Sequence, residues 1–182
     1  MSNSKIGQLT SNVSMKKYKF LLLIVCTLSV LSCGIYSFTG TNLNENVKTV
    51  QIDYFQNNAT LVEPSLSQTF TTMFRDLFDT QTNLTSVPSN GDLQFEGEIT
   101  GYRINPMTAT AEQTAAQNRL TITVNVRFYN NIVEEDNFEQ NFSHYYDYGA
   151  NVQLTGGLLD DAFKEIIERI AQDIFNASVA KW

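Results

Sequence analysis

Apolar and polar positions alternate with a period of two in four stretches of this chain and recur at three- and four-residue spacing in two others. The cleanest alternation runs from Arg119 to Tyr129, where Leu120, Ile122, Val124, Val126 and Phe128 interleave with Arg119, Thr121, Thr123, Asn125, Arg127 and Tyr129. A strand turns successive side chains to opposite faces, so a one-residue slip would expose five large apolar groups, and this register is firmly set. Asn137 to Tyr148 sets Phe138, Phe142, His144 and Tyr146 against Glu139, Asn141, Ser143 and Tyr145. Leu93 to about Ile104 points Leu93, Phe95 and Ile99 one way and Gln94, Glu96, Glu98, Thr100 and Tyr102 the other, with Gly97 and Gly101 predicting bulges or close backbone packing under a helix. A shorter strand, Val47 to Phe55, groups Val50, Ile52 and Tyr54 on one face and Thr49, Gln51 and Asp53 on the other.

The helical period appears from Pro64 to Thr80, in Leu66, Phe70, Met73, Phe74, Leu77 and Phe78, and from Leu158 to Ala180, in Leu159, Phe163, Ile166, Ile167, Ile170, Ile174 and Phe175. Pro64 suits a first helical turn, Asp160 and Asp161 stand at the positive end of the second helix dipole, and Glu165 can pair with Arg169. Burying a large apolar side chain is worth about 1.5 to 3 kcal/mol, so both stripes must dock on something apolar, and the sheet offers the only such face. The predicted class is α+β: a two-layer sandwich in which a mixed sheet of four to five strands carries two helices packed on one face. Pro88 to Gly91 reads as a turn, and Asn105 to Asn118 as an extended hairpin loop reaching beyond the body.

The segment before this domain has another character. Lys16, Lys17 and Lys19 precede an uncharged run, Phe20 to Val30, far short of the ~20 residues a bilayer-crossing helix needs, and Ser32 stands directly before Cys33. This is the arrangement of a lipoprotein signal peptide: residues 1–32 are expected to be removed, Cys33 to carry lipid, and residues 33–182 to form a single domain. The alternatives for the same residues are an ordinary secretory signal with a chance cysteine nearby, or a buried N-terminal helix. Met15 opens a compact signal of its own and is the expected true start.

Charge and cysteine content narrow the function. Residues 33–182 hold eight basic and 19 acidic residues, a net charge of −11, which speaks against binding nucleic acid or an anionic surface through bulk charge. With Cys26 in the discarded segment, Cys33 is the sole remaining thiol, and neither a disulfide nor a cysteine metal site is expected. The domain has one histidine, His144, on the apolar phase of its strand, which reads as a packed residue near a rim rather than a catalytic or metal-binding one. Glu96 and Glu98 share a face and read as cross-strand partners of Arg119 or Arg127 rather than as an acid and base pair. No catalytic constellation, cofactor or metal is expected. The uncovered sheet face, with Thr121, Thr123, Asn125, Asn141, Ser143, Tyr102, Tyr129, Tyr145, Arg119 and Arg127, suits hydrogen bonding to a polar partner such as the inner wall of a barrel or a glycan head group, or is a plain solvated face.

Several segments, in order, resemble one known family: the cysteine followed by GIYSFTG (34–40), VKTVQIDYFQNNATLVEPSLSQTFTTMFRD (47–76), GDLQFEGEITGY (91–102), NRLTITVNVRFYN (118–130) and a last helix ending in IFNASVAKW. Together they look like the Bacteroidetes-type lipopolysaccharide-assembly lipoprotein family, LptE. The resemblance implies a non-enzymatic outer-membrane lipoprotein, periplasm-facing and anchored through Cys33, that sits in the lumen of an LptD-like barrel and serves as plug and assembly partner in lipopolysaccharide transport. It implies two helices on a mixed sheet, and it implies that Gly34 permits outer-membrane delivery. The basic patch thought to meet lipopolysaccharide phosphates in such proteins has no clear counterpart here. The basic residues are scattered as Lys48, Arg75, Arg103, Arg119, Arg127, Lys164, Arg169 and Lys181. Arg103, Arg119 and Arg127 are the candidates for phosphate contact, since guanidinium binds phosphate oxygens through two parallel hydrogen bonds. The other class open to this sequence is a periplasmic lipoprotein that binds a small ligand or a different envelope protein.

Overall fold

The computed structural model describes residues 43–61, 63–107 and 116–180. The expectations for Cys33 and the segment before it, and for the tip of the connection after Met107, lie outside the described residues. The elements are β1 (Thr49–Ile52), β2 (Gln56–Asn57), α1 (Leu66–Gln81), β3 (Thr85–Ser86), β4 (Leu93–Met107), β5 (Gln117–Asn130), a short 3-10 turn (Glu134–Asp136), β6 (Phe138–Gly149) and α2 (Gly157–Ser178). The α+β class holds. The described sheet has six strands, more than expected, because the first strand is broken in two and the two-residue β3 joins its edge. Its order is β3-β1-β4-β5-β6, with β2 pairing β4 beyond β1. The pairings of β1, β2 and β3 are parallel, whereas β4, β5 and β6 form an antiparallel meander.

The alternation in β5 decides where the core lies. Leu120, Ile122, Val124, Val126 and Phe128 have no exposed surface, and both helices cover the face that they form. Phe74 and Phe78 of α1 meet Phe95 of β4 with ring centroids 5.3 and 5.0 Å apart, and Phe78 reaches Phe175 of α2 at 5.2 Å. Tilted and edge-to-face rings of this kind add about 0.5 to 1.5 kcal/mol per pair beyond the area that they bury. His144 lies at the rim of this layer, its Nε2 2.7 Å from Asp173 Oδ2 on α2. Asp92, just before β4, accepts hydrogen bonds at Oδ2 from the N–H groups of Lys48 and Thr49 and from the Thr49 hydroxyl, at 2.8, 2.9 and 2.9 Å. These bonds, the Lys48 amide first, hold its carboxyl below the usual carboxylate range.

Two bulges shift the predicted phases. Tyr54, expected beside Val50 and Ile52, is 54% exposed, and Phe55 is buried in its place. Ile52 pairs with Phe95 but Gln56 with Glu98, so the first strand carries one residue more than β4 over the same length. Two residues one turn apart on α1 bind the bulge: Thr71 Oγ1 accepts from the Phe55 N–H at 3.1 Å, and Arg75 donates from Nε and Nη2 to the Ile52 carbonyl at 3.1 and 2.5 Å. The Phe55 ring so released packs over Gly97, where a Cβ would stand 2.5 Å from Phe55 Cε1. Gly97 therefore gives way to an aromatic ring and not to a helix.

The second bulge lies in β4 between Ile99 and Gly101. Ile99 faces Val124, the extra Thr100 intervenes, and Gly101 then faces Thr123, so the residues that follow change sides. Tyr102, expected on the open face, is instead opposite Ile122 on the helix side, its ring 6.3 Å from Phe163 of α2. Burial pushes its phenol above the ordinary tyrosine value. Other boundaries move less. β4 and β5 stay paired out to Met107 and Gln117, so Asn105 and Asn118 belong to the ladder rather than to a loop. α1 begins at Leu66, two residues after Pro64.

Candidate functional site: the open face of the sheet

The face of β4, β5 and β6 turned away from the helices is built from rows of side chains that cross the strands. Successive rows are Glu96, Arg127 and Glu139; Glu98, Asn125 and Asn141; Gly101, Thr123 and Ser143; Arg103, Thr121 and Tyr145; and Asn105, Arg119 and Asp147. Same-face neighbours on paired strands stand within side-chain reach, and here they bond. Asn125 Nδ2 donates to Asn141 Oδ1 at 3.2 Å, and the Thr123 and Ser143 hydroxyls are 3.0 Å apart. The middle of the face is thus a neutral, ordered surface of amides and hydroxyls.

Its ends carry the charge. Arg119 donates from Nε and Nη2 to the two oxygens of Asp147, each at 2.7 Å, and its guanidinium lies 3.6 Å from the centroid of the Tyr145 ring. The Arg119 hydrogen bonds hold the Asp147 carboxyl below the ordinary range, and Asp147 in turn raises the guanidinium. Arg127 lies 3.7 Å from both Glu96 and Glu98 and donates to Asn125 Oδ1 at 3.3 Å. The two glutamates therefore partner Arg127, as one of the two expected pairings had it, while Arg119 takes Asp147.

Eight strand residues separate Arg119 from Arg127, about 27 Å at the usual rise, so the two cannot grip one phosphate together. The structure brings Arg103, Arg119 and Tyr145 to one end of the face, places Arg127 and Tyr129 at the other, and puts Tyr102 on the opposite side. Arg103 is exposed, has no ion-pair partner among the described residues, and is a diagonal neighbour of Arg119. It lines a cleft of about 250 Å³ with Leu61, Tyr102 and Ile104. Asp147 is the residue that sequence reasoning missed. Its polar phase on β6 was visible, but its position opposite Arg119 depends on a cross-strand register that one sequence does not print. No group of three or more His, Cys, Asp or Glu residues is placed to hold a metal ion among the described residues.

A family model for LptE, lipopolysaccharide-assembly, matches residues 47–178. The chain belongs to the LptE family. The match runs from Val47, the first buried core residue among those described, to Ser178 at the end of α2, and so spans the described elements of this LptE-family chain. No curated protein sequence matches it. Among solved structures, the hypothetical protein CT253 from Chlamydia trachomatis is 8% identical, with 72% of this chain and 98% of that one covered at a TM-score of 0.51, and shares the fold. The rare lipoprotein B from Shewanella oneidensis is 11% identical, covering 70% and 89% at 0.40. A minor lipoprotein from Acinetobacter baumannii is 12% identical, covering 66% and 89% at 0.41.

Proposed function

We propose that this chain is an outer-membrane lipoprotein, of the Bacteroidetes type, that plugs and helps assemble an LptD-like β-barrel during lipopolysaccharide transport to the cell surface. The observation that carries this reading is the family match across the whole folded body. In this reading residues 1–32 are removed, lipid on Cys33 holds the domain to the membrane facing the periplasm, and the protein works by binding rather than by catalysis. More than one acyl chain gives a stable anchor where a single chain is marginal. No helix among the described residues is long and apolar enough to cross a membrane.

The chemistry of the open face supports the same partner. The interior wall of an outer-membrane barrel is polar, and a face of Thr, Asn, Ser and Tyr on which Arg119 and Arg127 are already matched by carboxylates suits such a wall, leaving Arg103 and Glu139 for the partner to meet. Lipopolysaccharide phosphates make a separate demand. They must find cations, and Arg119 and Arg127 are engaged by Asp147, Glu96 and Glu98, so Arg103 makes the phosphate contact, with Arg119 beside it. A charge-assisted hydrogen bond is worth about 1.5 to 3 kcal/mol, so Arg103→Ala should weaken lipopolysaccharide retention by the purified lipidated protein about tenfold. Arg127→Ala, at the far end, should change it less than about twofold. Equal losses from both variants, or none from Arg103→Ala, would overturn the phosphate assignment.

A further inference from the structure

We infer that the outer edge of β6 is a docking edge for an extended, basic polypeptide segment, which adds to the sheet as a further strand. The inference rests on the sheet and its charge and is independent of what the open face binds. β6 ends the strand order, and no described residue pairs with it on the side away from β5. It is 12 residues long and pairs with β5 without a break from Phe138 opposite Phe128 to Gly149 opposite Gln117.

Ladder parity identifies the groups on offer. Just past the strand, the Ala150 N–H donates to the Ala116 carbonyl at 3.0 Å. In an antiparallel pair such bonds involve alternate residues, so even-numbered positions of β6 turn their backbone toward β5. Glu139, Asn141, Ser143, Tyr145 and Asp147 consequently turn theirs outward, and no described residue bonds those backbone groups. Exposed edges are ordinarily blunted by brevity, proline, lysine or a bulge. β3 is two residues long, and the free edge of β4 beyond Ile99 runs into Pro106. β6 has no proline, lysine or bulge.

Charge selects the occupant. Glu139 has no ion-pair partner among the described residues, and residues 33–182 carry a net charge of −11 from eight basic and 19 acidic residues. A second copy of β6 has no Lys or Arg to set opposite Glu139, and its one other carboxylate, Asp147, is already taken by Arg119, so self-pairing would bring two acidic bodies together with Glu139 unmatched. A closed barrel wall has no unpaired edge to offer. The remaining partner is a loop or terminal segment of another polypeptide, with Lys or Arg opposite Glu139.

Amide hydrogen exchange of the full chain, followed by NMR with the peptide KVTVTVTVK, tests this. The peptide should slow exchange of the five odd-numbered amides from Glu139 to Asp147 by about tenfold or more, and a version with Glu at both ends should bind about tenfold more weakly. Ser143→Pro should keep the β5–β6 ladder, because that N–H donates to no described residue, and should abolish the protection. Glu139→Lys, which leaves the backbone untouched, should reverse the preference between the two peptides. No protection of the odd-numbered amides by either peptide would overturn the inference. Equal binding of both peptides, or protection that rises with protein concentration alone as two copies pair, would overturn it too.

Discussion

At Gly97 the fold leaves no room for a methyl group, since a Cβ would press on the Asn125 carbonyl oxygen and on the Phe55 ring. Overpacking of this kind costs about 1 to 3 kcal/mol or more, so Gly97→Ala should lower the melting temperature by several degrees. Gly149→Ala is the control, because its Cβ would meet only Val152 Cγ2 at an ordinary 3.5 Å and should change stability little. Comparable melting curves for the two variants would contradict the packing of Phe55 over Gly97. Asp92 tests electrostatics at the same scale. A carboxyl whose folded pKa lies below its unfolded value contributes stability that is present above the unfolded pKa, and that stability disappears as pH falls through the folded one. The same sign applies to Asp147, which Arg119 lowers. The melting temperature should therefore be flat from neutral pH down to about pH 5 and fall below about pH 4. Asp92→Asn should start lower at pH 7 and fall less steeply in acid. An unchanged acid slope would show that Asp92 contributes nothing to the pH dependence.

Among the elements, those with an uninterrupted period were legible in the sequence. Five apolar residues at strict alternation leave β5 one acceptable facing, and α2 announces itself by Phe163, Ile166, Ile167, Ile170, Ile174 and Phe175 on one stripe. The Glu165–Arg169 pair, four residues apart, forms at 2.7 Å as helix spacing requires. The phases that went wrong both follow a single extra residue. Thr100 turns Tyr102 to the helix side, and the bulge after Ile52 exchanges Tyr54 for Phe55. Gly97 and Gly101 marked the region of irregularity in β4, but two glycines four residues apart do not say which one relieves a contact and which one adjoins a bulge. The anchors of the first bulge, Thr71 and Arg75, were hidden for another reason: their partners lie more than 15 residues away in the chain. The open face was legible as a set of residue types and not as a set of pairs. Which arginine is matched, by Asp147 or by Glu96 and Glu98, depends on strand register, and Arg103, in phase with Ile99 in the sequence, reaches the open face only because of the bulge at Thr100.

For the whole molecule, the layers divide the work. Two helices and the apolar side of the sheet form a core without disulfide or metal among the described residues, and this frees the other side of the sheet for contact. An acidic body that presents a neutral hydrogen-bonding centre, with Arg119 and Arg127 matched by carboxylates toward its two ends, fits a companion enclosed by polar walls better than a carrier of a small ligand. The most direct test of that account is a mild-detergent pull-down of the tagged, lipidated chain from its native membrane, with quantitative mass spectrometry of what accompanies it. The account predicts an LptD-like barrel recovered in a one-to-one ratio with the bait. Recovery of the lipoprotein alone, or with other envelope proteins and no barrel, would contradict it.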